Sequence, residues 1–247
     1  MMNEKIRTKV YNELRKEYDD APFTLPNNED LRPILKGKSV ASADVVVLYS
    51  SSLKANKYRS RRFRTGSSSI YLSNKLGGEQ KGVMVHTIGI KGRHSFYKSI
   101  PLTRQEYLTS DLDKTIPRNT PLFTDEGYKF IWDRKNHKMV NHSKKSKNPR
   151  YNLSRERWVS KEGVTSNIAE GRNNLLKGSF RSYGYISPKW SQAYLSEISF
   201  YGNLRFEEGL ARLLFTGFGE SGDASIVGKS DALCGRRDLN SSAFLRI

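Results

Sequence analysis

Apolar residues recur at every fourth position near the start of the chain, at Ile6, Val10, Leu14 and Tyr18. Steps of four stay on one face of a 3.6-residue helix, so residues 3–18 are predicted to form an amphipathic helix, capped by Asn3 and charged on its other face. The segment APFTLPNNEDLRP (21–33) holds three prolines and reads as a loop. ADVVVLYSS (43–51) and KGVMVHTIGI (81–90) are β-branched apolar runs of strand length and are predicted to be buried strands. From Ile100 to Pro121 the prolines and alternating charges predict a connector with one short helix around Arg104–Leu108. Residues 129–158 open on the apolar, strand-like KFIW and pass into a basic stretch. In SQAYLSEISFYGNL (191–204), Leu195 alternates with polar neighbours and Ile198 and Phe200 share a face, which predicts a half-buried strand. Phe206, Leu210, Leu213 and Leu214 then follow at helical spacing, with Glu207 and Glu208 in the first turn and Gly217 at the stop. No fixed-period repeat is present. The sum is an α+β chain, an antiparallel or mixed sheet with a few flanking helices, expected as one domain over 1–247 with a sub-boundary near 100–121.

Charge changes the picture most. The 247 residues carry 43 Lys+Arg against 25 Asp+Glu, a formal net charge of +18. Such an excess repels itself in a compact fold and is tolerated where a polyanion cancels it, so nucleic acid is the expected partner. Mean hydropathy is −0.68, and there is no apolar run of about 18 residues, so no membrane span is expected. No basic amphipathic stretch or lipidation motif points to a membrane surface. The start of the chain lacks the apolar core of a secretory signal. The single cysteine, Cys234, can form neither an internal disulfide nor a thiolate cage, which suits a reducing, cytoplasmic setting.

Two windows concentrate the cations. KANKYRSRRFR (54–64) interleaves Lys54, Lys57, Arg59, Arg61, Arg62 and Arg64 with Tyr58 and Phe63. Cations neutralise phosphates while rings and guanidinium planes stack on unpaired bases, the combination a single-strand binder uses. In 134–158 stand Arg134, Lys135, Lys138, Lys144, Lys145, Lys147, Arg150, Arg155 and Arg157 against Glu156 alone, with Tyr151 and Trp158 beside arginines. The run 143–148 is expected to be ordered by a polyanion. The same windows also read as plain solvated loops. His137 and His142 fall here without a cysteine or paired carboxylate near them in sequence. They are therefore read as a solvent-facing pair, as general bases, or least readily as metal ligands. His86, within a strand, and His94, in a loop, show no orienting partner.

The third feature is glycine-rich. GDASIVGKS (222–230) puts five residues between its glycines where a phosphate loop has four, and it follows a helix instead of opening one, which argues against nucleotide hydrolysis. Gly217, Gly219, Gly222 and Gly228 leave an open backbone beside Lys229, Arg236 and Arg237, a surface whose amides can meet phosphates.

On Gly217, Phe218, Gly219, Ser225 and Gly228, with Asn152 and Arg155 upstream, the C-terminal third resembles the repeat-associated RNA-binding subunits of type III CRISPR effector complexes. Ser230 stands where that family's loop closes on glycine, Ser221-Gly222 is extra, and the family's N-terminal strand motif is missing from residues 1–40. The resemblance implies a ferredoxin-like fold, a place in antiviral defence and RNA held by backbone and basic side chains without catalytic residues.

The leading expectation is thus a nucleic-acid-binding protein, with RNA favoured over DNA, whose basic windows and glycine loop form one groove. It would sit among other subunits of a ribonucleoprotein and need no cofactor or metal. Two rivals remain: a metal-independent nuclease or base-excising glycosylase, and a capsid or ribosome-associated structural protein. No catalytic residue is assigned, since no carboxylate signature of a metal-dependent nuclease is evident along the sequence.

Overall fold

The computed structural model describes residues 2–19, 23–48, 83–101, 103–183, 186 and 188–207. All of them but Glu207 fall in one compact unit, Met1–Phe206. Helix α1 (Met2–Asp19) buries the expected stripe of Ile6, Val10, Leu14 and Tyr18, and the Tyr18 hydroxyl donates to Ser39 O at 2.5 Å. Asn3 is not its cap. It lies inside the helix, buried, where its Oδ1 accepts from Ser199 Oγ at 3.3 Å. A single turn, α2 (Leu31–Ile34), starts at Asp30, whose side chain accepts the Arg32 N–H.

Among the described residues five strands build one sheet in the order β3-β2-β1-β4-β5. β1 (Ala41–Leu48), β2 (Val83–Ile90) and β3 (Ser95–Ser99) form an antiparallel meander. β4 (Leu122–Asp125) joins the other side of β1 in parallel, and β5 (His137–Val140) continues in parallel beyond it. The result is the expected α+β fold with a mixed sheet and flanking helices. Among the described residues the sheet's succession, three strands, then a helix, then two strands, differs from the βαββαβ order of the ferredoxin-like fold implied by the resemblance.

Strand periodicity assigns the faces. Val46 pairs with Val85 and Leu48 with Val83. These four, with Tyr97, meet Leu176 and Phe180 of α4 (Asn167–Ser182), Ile186, and Leu195 of α5 (Ser191–Leu204) in one apolar cluster. The alternate residues of β2 face α3 (Gln105–Thr115), where His86 Nδ1 lies 2.7 Å from Asp111 Oδ2. At Gly89 a β-carbon would come within 3.1 Å of Arg172 Cγ and of Ile168 Cγ2, so α4 rests directly on the β2 backbone.

Three expectations are corrected. Residues 191–204 are helix α5, not a strand. Their buried positions, Ser191, Leu195, Ser199 and Asn203, recur every four residues, but three of the four are polar, so apolar periodicity is masked. Those polar groups serve the open edge of β3. Asn203 Oδ1 accepts Ser95 N–H and its Nδ2 donates to Ser95 O, both at 2.8 Å. Gln192 Oε1 accepts Ser99 N–H at 2.8 Å, so a helix satisfies an edge that would otherwise template another strand. KFIW is not a strand start: Glu126–Ile131 is a 3-10 segment, capped by Asp125, that buries Tyr128 and Ile131. The short helix near 104–108 runs on to Thr115 because Leu108, Asp111, Leu112 and Thr115 continue the buried stripe. No described helix is long and apolar enough to cross a membrane.

A smaller cluster of Leu25, Leu31, Leu35, Val40, Phe123 and Val164 lies under the 23–35 loop. Gly163 closes the turn against it with φ +81°, and a β-carbon there would sit 2.7 Å from Arg32 Cγ. Arg32 has little room to yield, since its guanidinium forks onto Asp30 at 2.8–3.1 Å. Gly163→Ala is therefore expected to cost about 1–3 kcal/mol in urea unfolding, and an unchanged midpoint would contradict this account of the turn.

Candidate active site

Asp44 stands within β1, Asp125 ends β4, and Glu170 lies in the first turn of α4. The parallel register pairs Ala41 with Leu122 and Ser42 with Phe123; continued along both strands, it sets Asp44 level with Asp125. Asp44 senses the other two. Burial, then the charge of Asp125 and further down that of Glu170, push the Asp44 carboxyl up to about 6, against the Val45 N–H and the Asn173 amide, which favour its ionised form. Asp125 is likewise raised, chiefly by burial.

Each carboxylate is oriented by its neighbours. Asp44 accepts from Val45 N at 2.7 Å and from Asn173 Nδ2 at 2.8 Å. Asp125 Oδ1 accepts from Gly127 N at 3.0 Å. Glu170 Oε1 accepts from the buried Ser166 hydroxyl at 2.5 Å and lies 3.5 Å from His142 Nε2. Ser166 Oγ, having donated its proton to Glu170, is left to accept from His142 Nε2–H at 3.1 Å. Among the described residues no three His, Cys, Asp or Glu side chains close into a metal cage, so the trio is a cluster of like charge without a ligand shell of its own.

That charge has a pH signature. The folded pKa of Asp44 exceeds its unfolded value, so the neutral form contributes stability that is fully present below pH 3.8 and is lost as pH rises through about 6. The difference is worth about 3 kcal/mol. Asp44→Asn is expected to abolish this pH dependence, matching wild type near pH 4 and exceeding it at pH 8 in chemical denaturation. A variant less stable than wild type at pH 8 would contradict the reading.

The second basic window adjoins the cluster. His142 meets the Trp158 ring at 5.5 Å edge to face, and the Arg157 guanidinium lies 4.8 Å from the Trp158 centroid. Ser146 N–H to Asn152 O, Ser154 N–H to Lys144 O and the Lys145–Leu153 bridge fold 143–154 back on itself, so the chain itself orders the run 143–148. Lys145, Lys147, Arg150, Tyr151 and Arg155 are exposed on it, while Lys144 is paired with Glu156.

Other members of the window are structural. Arg134 is buried and donates to Pro117 O, and burial lowers it to about 10. Lys138 lies 3.3 Å from Glu162 and donates to Asn27 at 2.6 Å. His137 is not solvent-facing. Burial and Arg134 hold it near pKa 4, and its Nε2 lies 2.7 Å from Thr124 Oγ1. His86, which showed no orienting partner in the sequence, has one in Asp111. The first basic window (54–64) and the glycine loop with its flanking cations (217–237) lie outside the described residues.

Sequence reasoning named none of the three carboxylates, because it looked for acids close together along the chain. One signal was present: Asp44 interrupts a β-branched apolar run, and a charge in a buried strand calls for a reason.

No curated protein and no solved structure matches the sequence. Residues 56–203 match the ISXO2-like transposase domain, a segment that contains Asp125 and Glu170 and starts after Asp44. This finding overturns the resemblance to type III CRISPR RNA-binding subunits, which drew on Gly217–Gly228, outside the matched segment, and on loose upstream similarity. The place in antiviral defence falls with it, and nothing in the match favours RNA over DNA. With more than half of its length matched, this nucleic-acid-acting protein belongs to the ISXO2-like transposase family.

Proposed function

We propose that the chain breaks and rejoins DNA phosphodiester bonds at the Asp44–Asp125–Glu170 cluster. The observation that carries this reading is the convergence of carboxylates from β1, β4 and α4, with Asp44 and Asp125 set level on adjacent parallel strands and the charges of Asp125 and Glu170 both felt at Asp44. Natural folds rarely gather half-buried like charges unless something positive completes them. The donor set is all oxygen, the choice of hard divalent cations such as magnesium or manganese. It fits such an ion without being a full cage, since magnesium is commonly held by one or two carboxylates, with water and substrate phosphate filling the remaining positions. Asp44 and Asp125 would hold the ion and Glu170 would complete the set. A bound divalent cation would polarise the scissile phosphate and acidify the attacking water or hydroxyl.

The remaining residues position. Asn173 and the Val45 amide fix Asp44, Gly127 fixes Asp125, and Ser166 with His142 aims Glu170. Lys145, Lys147, Arg150 and Arg155 on the adjacent loop would neutralise strand phosphates, with Tyr151 and Trp158 as stacking surfaces. The sequence windows 54–64 and 217–237 remain proposed contacts of the same kind. This reading replaces the metal-free chemistry expected from sequence with a metal-dependent one.

The test is incubation of the full chain with labelled duplex DNA in magnesium, manganese or EDTA. Strand cleavage in either metal and none in EDTA is expected. Equal cleavage in EDTA would remove the metal from the reading, and no cleavage under any condition would remove the activity.

A further inference from the structure

We propose that the cleft between α4 and α5 binds an unpaired nucleotide, its phosphate between Arg172 and Arg205 and its base against Tyr201 and Tyr183. The cleft is a cavity of about 570 Å³ over β3, lined by Arg172, Tyr183, Glu197, Tyr201 and Arg205 among others. It is distinct from the carboxylate cluster: Arg172 follows Glu170 by two residues, about 200° around the helix.

The two arginines are placed differently. The Arg172 stem lies on Gly89 and its Nη2 donates to Arg93 O at 2.7 Å, which fixes the guanidinium at the cleft. Arg205 follows the end of α5 and lies over the Phe206 ring at 4.7 Å. Among the described residues neither is paired with a carboxylate. Burial, and then the charge of Arg205, disfavour the Arg172 cation, a repulsion that an anion placed between them relieves. Phosphate is an anion whose oxygens the guanidinium fork matches bidentately.

The aromatic lining selects more than phosphate. Tyr201 is 64% exposed and Tyr183 39%, so both offer ring surface that the fold does not cover, as base-stacking platforms require. Glu197 repels a phosphate but accepts from an exocyclic amino group, and so directs the base edge, not the backbone, to its end of the cleft.

The inference rests on the chain acting on polynucleotides, and its test separates the two ideas. Binding of a labelled single-stranded ten-nucleotide DNA by the full chain is measured by fluorescence anisotropy for wild type, Arg205→Ala and Tyr201→Ala. Arg205 and Tyr201 are exposed, so their truncation leaves the core intact. Each is expected to raise Kd by about tenfold. Wild-type affinity in both cleft variants would overturn the site while leaving the proposed chemistry standing. Failure of wild type to bind any strand would instead overturn the reading beneath it. Inorganic phosphate displacing the strand as effectively as a nucleoside monophosphate would overturn the base-binding half.

Discussion

Asp125→Asn is expected to lower metal-dependent DNA cleavage by on the order of a thousandfold or more while leaving the fold intact. The asparagine oxygen can keep the 3.0 Å bond from Gly127 N–H, so the local turn survives. What goes is one of the two charges set level on β1 and β4, and with it the attraction for a cation. Because Asp125 is the leading charge that pushes Asp44 up, its removal also lets Asp44 ionise more readily, so the variant should not be less stable than wild type at neutral pH. Loss of cleavage with unimpaired DNA binding and stability is the expected pattern. Cleavage within a few-fold of wild type would take Asp125 out of the chemistry.

The largest stability effect is expected from Asp111→Ala. Asp111, on α3, is buried between two buried partners: His86 Nδ1 at 2.7 Å and Arg7 Nη1 at 3.8 Å. Arg7 also lies over the Phe96 ring at 5.5 Å, so its head group is committed to this interior. Truncating the carboxylate strands a buried cation and leaves the imidazole without its partner, at a cost of about 3–5 kcal/mol. Asp111→Asn keeps an acceptor for His86 but no charge for Arg7, and should fall between the two. Thermal and urea unfolding decide the matter, and a loss under about 1 kcal/mol for the alanine variant would show that α1 and α3 are not locked through this group.

What could be read from sequence divides along a physical line. α1, β1 and β2 were legible because most of their buried positions are apolar: Ile6, Val10, Leu14 and Tyr18 at helical spacing on one, Val46 and Leu48 against Val85 and Val83 on the others. α5 was misread because its buried face carries Ser191, Ser199 and Asn203, which hydrogen-bond to β3 or its side chains instead of filling a core. The carboxylate site was illegible for a different reason. Asp44, Asp125 and Glu170 are separated by long stretches of chain, and they meet only because β4 adds in parallel beside β1 and α4 packs back across the sheet. Charge clustering along the sequence did lead to the loop at 143–157, which the fold sets beside His142 and Glu170. It could not reveal that Arg134, Lys138 and His137 in the same window serve the interior.

The central place of β1 has a mechanical consequence. Hydrogen-bonded to β2 on one side and to β4 on the other, it cannot fray without dismantling the sheet, so the amides around Asp44 should exchange with solvent only through global opening. Glu170 is carried differently, on the first turn of a helix and steered by a serine and a histidine. The cluster thus joins two members carried on adjacent strands of one sheet to a third carried on a helix, and adjustment to an arriving cation or strand is expected at the Glu170 side chain before the sheet.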